Sequence, residues 1–245
     1  MSPLPDRAVF VSDLHFGTRA YQARADRERL FERFLREQQG RISHLFLLGD
    51  VFEFWMEYRH VIPKHHFGVL SALHRLREGG VEIHYVCGNH DFNLGTFFRD
   101  HLGLITHSGP FTMTLQGRRL LLLHGDGMNP RDKAYRLVRR VLHSRWANVL
   151  WKLIHPDLGI RIALGVGKAS RARHGDIVPD LDQYEAEARR RLREGGYDAV
   201  IHGHIHVGFV NRFPEGLHVN TGEWLKRLEY VDMEGGEISL KTYDA

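Results

Sequence analysis

The order of apolar and polar positions along this chain predicts strands that alternate with helices. Five short apolar runs have the length and the β-branched or leucine-rich content of buried strands. These runs cover residues 8–11, 45–48, 83–86, 120–123 and 199–201. Apolar residues at helical spacing fall between the first three runs, over 22–38 and 64–78. Because a strand–helix–strand order implies a helical crossover, we expect the first three strands to pair in parallel.

The region after the third strand departs from this alternation. A hairpin is predicted over 111–123, with its turn at Gln116-Gly117. A further helix is predicted over 182–194, and the strands that follow it have turns at 213–216 and 234–236. The second half of the chain is therefore expected to add antiparallel pairing to the parallel sheet.

Residues 131–173 interrupt the strands. They show the spacing of two helices that are separated near His155-Pro156-Asp157, with no strand between them. We therefore expect a single α/β sandwich domain over residues 1–245, with a helical lid inserted over residues 131–174.

The composition fits one globular domain. The chain has 245 residues, of which 42% are hydrophobic, enough for one sizeable core. It contains no run of about 18 apolar residues, so no membrane span is expected, and the first strand begins by residue 8 without the pattern of a secretory signal. The single cysteine, Cys87, excludes an intramolecular disulfide and is interpreted as a small core residue in a reducing compartment.

The positive charge is concentrated in the predicted lid. Between Arg131 and Arg173 there are eleven Lys or Arg residues and two acidic residues, whereas acids exceed bases in the rest of the chain. Such a segment favours an anionic partner: membrane lipid, nucleic acid or a phosphorylated substrate. The first lid helix also has an apolar stripe with Trp146 and Trp151. This stripe fits a membrane surface or an acyl-chain pocket, but also simple packing on the domain.

Five short motifs bring candidate chemistry to the ends of the strands. They are Asp13-Leu14-His15, Gly49-Asp50, Gly88-Asn89-His90-Asp91, His124-Gly125-Asp126 and Gly203-His204-Ile205-His206. Each motif follows one of the five apolar runs. Since ligands of α/β sheets bind at the carboxyl ends of the strands, we expect these side chains to converge.

The side chains in these motifs are typical of a metal centre with two ions. The candidate ligands are Asp13, His15, Asp50, Asn89, His124, His204 and His206. Carboxylate, imidazole and amide groups suit Mn, Fe or Zn, and the absence of a thiolate argues against a purely structural zinc site. Two ions about 3.5–4 Å apart can share a bridging carboxylate, for which Asp50 is the candidate.

Three nearby residues are not counted among the ligands. His202 and His218 are interpreted as structural histidines. Asp126, which follows His124 closely, either orients an imidazole or stabilises a turn, and the sequence favours neither role.

The order of these motifs resembles the calcineurin-like metallophosphoesterase superfamily over nearly the whole chain. The resemblance implies an α/β fold in which a two-sheet β-sandwich is flanked by helices. It implies one metal ion bound by Asp13, His15, Asp50 and His206, and a second bound by Asp50, Asn89, His124 and His204. It further implies that His90 is not a ligand but lies near the phosphate or the leaving group. As a catalytic residue there, His90 would hydrogen-bond the phosphoryl group or donate a proton to the leaving oxygen.

Longer stretches around the motifs resemble the UDP-2,3-diacylglucosamine hydrolases of lipid A synthesis. These stretches are residues 49–55, 88–92, 124–127 and 155–160. The resemblance implies a lid that contacts the substrate through Asp132, Tyr135 and Ser170, with Lys168 and Arg171 as candidate phosphate contacts beside Asn89 and His90. Well-known members of this family have Arg where this chain has His90, although other members have His.

This family resemblance implies a reaction and a location. Water would attack the pyrophosphate of UDP-2,3-diacylglucosamine, a nucleotide-linked glycolipid, and release UMP and 2,3-diacylglucosamine 1-phosphate. Two divalent ions, usually Mn²⁺ in the family and otherwise Fe or Zn, would serve as cofactors. The protein would act on the cytoplasmic face of a bacterial inner membrane, and its oligomeric state stays open.

Two alternatives belong to other functional classes. One is a different metal-dependent phosphodiesterase or a nuclease of the same superfamily, although the basic segment lacks an evident nucleic-acid-binding motif, so no nucleic-acid partner is expected. The other is a non-catalytic scaffold, which is disfavoured because all seven candidate ligands and His90 are present.

Overall fold

Two β-sheets form the centre of the protein. The computed structural model describes residues 4–18, 24–129, 144–174 and 180–244. The strands in these residues are β1 (Arg7–Val11), β2 (His44–Leu47), β3 (Glu82–Val86), β4 (Ile105–His107), β5 (Phe111–Leu115), β6 (Arg118–Leu122), β7 (Ala199–His202), β8 (Phe209–Phe213), β9 (Gly216–Asn220), β10 (Glu229–Glu234) and β11 (Glu237–Thr242). The first sheet has the strand order β11-β10-β1-β2-β3-β4, and the second has the order β5-β6-β7-β9-β8.

Parallel pairing dominates the middle of both sheets. Strands β1, β2, β3 and β4 pair in parallel, as do β6, β7 and β9. Antiparallel partners occur toward the edges, where β10 joins β1 and β5 joins β6. The predicted parallel pairing of the first three strands is therefore confirmed. All parallel strands of one sheet end at the same edge, where the sequence motifs follow them.

The described residues form six α-helices: α1 (Arg27–Gln38), α2 (Phe67–Glu78), α3 (Phe97–Leu102), α4 (Arg145–Lys152), α5 (Pro156–His174) and α6 (Leu181–Gly195). Of these, α1, α2, α3 and α6 cover the outer faces of the sandwich. Alternate residues of a strand face opposite sides. Accordingly, Val9 and Val11 pack with α1 and α2, whereas Ala8 and Phe10 pack against the second sheet. Helix α6 packs its Ala188 and Leu192 on the outer face of that sheet. The predicted α/β fold, a two-sheet sandwich flanked by helices, is confirmed.

Most of the predicted elements match the described ones. The hairpin is present as β5 and β6, and its turn residues Gln116 and Gly117 both have positive φ, as a tight hairpin turn requires. Cys87 is buried in a hydrophobic cluster, as predicted.

The sequence prediction was wrong at two places. Helix α1 begins at Arg27 rather than at residue 22, because the main-chain N–H of Arg24 donates to the carbonyl of Leu225 instead of entering a helix. The sequence also missed α3 and β4. With six and three residues, these elements are too short to show a period.

Helices α4 and α5, in the segment predicted to be a lid, contact the rest of the domain on one side and expose apolar residues on the other. The ring of Trp151 lies 5.8 Å from that of Phe54, and Gly159 packs tightly against Tyr58. The exposed apolar residues of α4, α5 and the turn between them are Trp146, Val149, Leu150, Leu153, Leu158, Ile162 and Val166. No helix within the described residues combines the length and hydropathy needed to span a bilayer.

Candidate metal centre

The motif residues meet where the strands of the two sheets end. Asp13 and His15 follow β1, Asp50 follows β2, and Asn89 follows β3. From the other sheet, His124 follows β6, while His204 and His206 follow β7. Because β1 to β3 and β6 to β7 are parallel neighbours, both sets of residues lie at one end of the sandwich.

The backbone of these segments is strained. Seven non-glycine residues in the described chain have positive φ, a conformation that L-amino acids rarely adopt. Five of the seven are candidate ligands: Asp13, His15, Asp50, His204 and His206. Such conformations persist only where the surroundings enforce them, and they cluster at functional sites. The strain therefore marks the same residues as the sequence motifs.

Two glycines permit the close approach of the strand ends. Gly49 has φ of +86°, and a Cβ there would lie 2.7 Å from the Cα of Gly88 and 2.6 Å from Nδ1 of His124. A Cβ on Gly88 would lie 2.2 Å from Oδ1 of Asp50. Any side chain at either position would push the β2 and β3 turns apart.

The first ligand group joins Asp13, His15 and His206. Nε2 of His206 lies 3.3 Å from Oδ1 of Asp13 and 3.3 Å from Nε2 of His15. All three side chains offer atoms close enough together to hold one metal ion. Oδ1 of Asp13 is buried and accepts no hydrogen bond in the described part of the chain. A buried carboxylate oxygen in this setting fits a cation.

The second ligand group joins Asp50, His124 and His204. Nε2 of His124 lies 3.4 Å from Oδ2 of Asp50 and 3.0 Å from the amide oxygen of Asn89. The same Oδ2 of Asp50 lies 3.7 Å from Nε2 of His15 in the first group. Asp50 thus lies between the two groups, at the place where a shared carboxylate must be.

Electrostatics keep the carboxylates of both groups ionised. Burial alone would raise the pKa of Asp50. The neighbouring imidazoles, chiefly that of His124, have a larger effect and lower this pKa well below its ordinary value. Asp13 shows the same balance, with His206 as the main lowering partner. Burial lowers the pKa of His204 to about 4, so its imidazole is neutral at pH 7. Burial lowers the pKa of His124 and His206, but Asp50 and Asp13 outweigh burial and raise the pKa of both imidazoles. Metal ions bind carboxylates and imidazoles with release of such protons, so the residues present fit a divalent cation.

His90 lies beside the ligands without joining the Asp13 or Asp50 group. Its main-chain N–H donates to Oδ1 of Asp50 (2.9 Å), and its Nδ1 donates to the carbonyl of Glu53 (2.9 Å). Its Nε2 lies 4.0 Å from Oδ2 of Asp50. The side chain keeps 23% of its surface exposed, whereas that of His15 keeps 1%. His90 is therefore more accessible than the buried candidate ligand His15.

Asp91 is a structural support that the sequence reasoning did not single out. Its fully buried carboxylate accepts hydrogen bonds from the main-chain N–H groups of Asp50, Val51 and Gly88, at 2.7–3.1 Å, and from the hydroxyl of Tyr85. One side chain thus joins the turn after β2 to the turn after β3. Its place as the last residue of the motif Gly88-Asn89-His90-Asp91 was the only available signal.

The other predicted residues divide into four cases. Asp132 and Tyr135 lie outside the described residues. Lys168, Ser170 and Arg171 belong to α5, but their side chains also lie outside the description. His202 is buried and hydrogen-bonded to His218 through the two Nε2 atoms, 2.8 Å apart, in keeping with a structural role. Asp126 is buried near His124, and both of its interpretations remain open.

Comparisons with known proteins agree with this geometry. Residues 7–208 match the family model described as calcineurin-like phosphoesterase. The chain is similar to proteins named UDP-2,3-diacylglucosamine hydrolase from three bacteria. Identity is 28% for Aeromonas salmonicida (95% of this chain, 92% of the relative), 31% for Edwardsiella ictaluri (84% and 78%) and 34% for Pseudomonas aeruginosa (81% and 81%).

Replacement of Asp91 tests its role in assembling the centre. Asp91→Ala leaves several buried N–H donors without an acceptor, so we expect a loss of stability of about 3–5 kcal/mol. We also expect much weaker metal binding, because the turn that holds Asp50 is released. Urea unfolding and metal titration of the folded variant measure the two effects. Metal affinity equal to that of the wild type would contradict this role.

Proposed function

The chain belongs to the calcineurin-like phosphoesterase family, and from this premise we propose that it hydrolyses the pyrophosphate of UDP-2,3-diacylglucosamine. The products would be UMP and 2,3-diacylglucosamine 1-phosphate. The observation that carries the proposal is the pair of ligand groups that meet at Asp50. The chain also matches, over most of their length, relatives named UDP-2,3-diacylglucosamine hydrolase.

The ligand groups and the family model support a divalent metal cofactor. We propose two Mn²⁺ ions. Asp13, His15, Asp50 and His206 would hold one, and Asp50, Asn89, His124 and His204 the other. Bound at such a centre, divalent ions activate water and offset the charge on phosphate oxygens. The protein's own part is to hold the ligands in place and keep the carboxylates ionised.

His90 would act on the phosphoryl group or on the leaving oxygen. The carbonyl of Glu53 holds the proton on Nδ1, so Nε2 is the atom left to meet the substrate. From this place, Nε2 would hydrogen-bond the phosphoryl group or pass a proton to the leaving oxygen. Arg, which well-known relatives have here, offers a donor but not a readily released proton.

The lid would bind the acyl chains and the membrane surface. We propose that residues 131–174 form this lid as an insertion in the single domain. The exposed apolar residues on α4, on α5 and in the turn between them, such as Leu153 at 78% exposure in that turn, support contact with lipid. Lys152 and Arg161 lie between them, as expected for an anionic membrane surface. The protein would then work at the cytoplasmic face of the inner membrane.

The first test is Mn²⁺-dependent release of UMP from UDP-2,3-diacylglucosamine in mixed detergent micelles. We expect release by the wild type and none by Asp50→Ala, because that variant loses the carboxylate between the two ligand groups. Bis-p-nitrophenyl phosphate serves as a generic diester in parallel. Hydrolysis of the diester without release of UMP would keep the metal centre and contradict the lipid substrate, which would favour another phosphodiesterase.

His90→Ala separates the role of this residue from metal binding. We expect the variant to keep its fold and its Mn²⁺ content, and to lose turnover by about 10²–10⁴-fold. Steady-state kinetics and metal analysis of one preparation measure both. His90→Arg is the matched control and should retain more activity, because it keeps a donor. Turnover equal to that of the wild type in the alanine variant would remove His90 from the mechanism.

Membrane contact is tested on the lid surface. Leu153→Ser should weaken binding to phosphatidylethanolamine/phosphatidylglycerol vesicles by roughly tenfold, because it removes one exposed leucine from the lipid contact. Ile105→Ser is the matched control, since Ile105 is also exposed (42%) but lies on β4, away from the lid. Equal vesicle binding by the wild type and both variants would contradict the proposed surface.

A further inference from the structure

Glu53 is a buried carboxylate that the reaction so far does not use. Its side chain is 2% exposed and lies three residues after Asp50. Oε2 of Glu53 is 3.2 Å from Nδ1 of His15, and the two side chains form a cluster with His90. Burial of a carboxylate costs several kcal/mol in lost hydration. The position of Glu53 next to a candidate ligand therefore indicates a role at the centre.

The two ring nitrogens of His15 face different groups. Its Nε2 faces the ligand groups, 3.3 Å from Nε2 of His206 and 3.7 Å from Oδ2 of Asp50. Its Nδ1 faces Glu53 on the other side of the ring. Glu53 is thus not placed to share an ion with Asp13 and His206. Its Oε2 lies within hydrogen-bonding distance of the ring nitrogen that a metal would not use.

The second ligand group shows the same arrangement with a different acceptor. Nδ1 of His124 donates to the main-chain carbonyl of Leu48 (2.8 Å), while its Nε2 faces Asp50 and Asn89. A neutral imidazole has one N–H, so an acceptor at Nδ1 selects the tautomer that binds a metal through Nε2. Leu48 provides this acceptor for His124, and Oε2 of Glu53 lies 3.2 Å from Nδ1 of His15.

The main chain fixes Glu53 in this position. The parallel pairing of β1 and β2 continues beyond the strand ends: His15 N–H donates to the carbonyl of Asp50, and Phe16 N–H donates to that of Val51. The N–H of Glu53 then donates to the carbonyl of Phe16 (3.0 Å). This register places Glu53 opposite His15. Buried Arg27, which donates to the carbonyl of His15, is a nearby cation that offsets the carboxylate.

We propose that Glu53 is a positioning residue that accepts a hydrogen bond from Nδ1–H of His15 and thereby presents Nε2 of His15 to one metal ion. The proposal rests on the proposed metal centre, and it assigns Glu53 to only one of the two ions. The main-chain carbonyl of Glu53 accepts from Nδ1 of His90 and fixes the tautomer of this second imidazole in the same way. Glu53 would thus orient one ligand and one catalytic side chain.

Binding of Mn²⁺ to the purified full-length variants tests the proposal. In Glu53→Ala we expect one ion to bind about 10–100-fold more weakly than in the wild type, while the other keeps its affinity. Calorimetric titration gives the affinities, and electron paramagnetic resonance distinguishes a single Mn²⁺ from a coupled pair. Glu53→Gln keeps an oxygen acceptor in the same place and should lose less affinity.

Glu57→Ala is the matched control. Glu57 belongs to the same segment, but its carboxylate accepts from the N–H groups of Thr96 and Phe97 rather than facing a histidine. This variant should lower the melting temperature and leave both Mn²⁺ affinities unchanged. An equal loss of both ions in Glu53→Ala, or none, would overturn the proposal.

A second measurement needs no metal. Long-range ¹H–¹⁵N correlation spectra of the metal-free protein report which nitrogen of His15 is protonated. We expect Nδ1–H in the wild type and in Glu53→Gln, and a mixture of tautomers in Glu53→Ala. If the wild type bound no Mn²⁺, the proposed metal centre would fail, but these spectra would still decide the role of Glu53. A pure Nδ1–H form in Glu53→Ala would overturn it.

Discussion

The candidate centre depends on parallel pairing that continues past the ends of β1 and β2. The main-chain N–H groups of His15 and Phe16, after β1, donate to carbonyls of the turn after β2. These hydrogen bonds keep the segments after the two strands in register. This register sets the separation of Asp13, His15 and Asp50, and it places Glu53 on the far side of His15. The metal-ligand geometry is thus an extension of sheet geometry.

That extension requires an unusual backbone. The candidate ligands lie where the extended strands end and the chain turns. Asp13, His15, Asp50, His204 and His206 adopt left-handed conformations there. Each such residue costs of order 1–3 kcal/mol. The hydrogen bonds of Asp91 and the close contact of Gly49 with Gly88 offset part of this strain.

The sequence predicted the regular parts of the fold and the identity of the clustered residues. Long elements such as α2, and the parallel strands, have a clear period, and Asp13 and His15 stand two apart directly after a strand. Short elements such as α3 and β4 lack enough residues to show one. The positions of Glu53 and Asp91 could not be predicted, because each depends on the register between segments that are distant in the chain.

The hydrogen bonds around Asp91 also bear on how the protein acquires its metal. Main-chain donors from the turns after β2 and β3 converge on a carboxylate that is shielded from water, and none of these bonds involves a ligand side chain. The loops are therefore preorganised by the protein itself, unlike in small zinc domains, where the metal drives folding. Metal binding then involves little loss of chain entropy, so removal of the ions should leave a folded receptor that can be refilled.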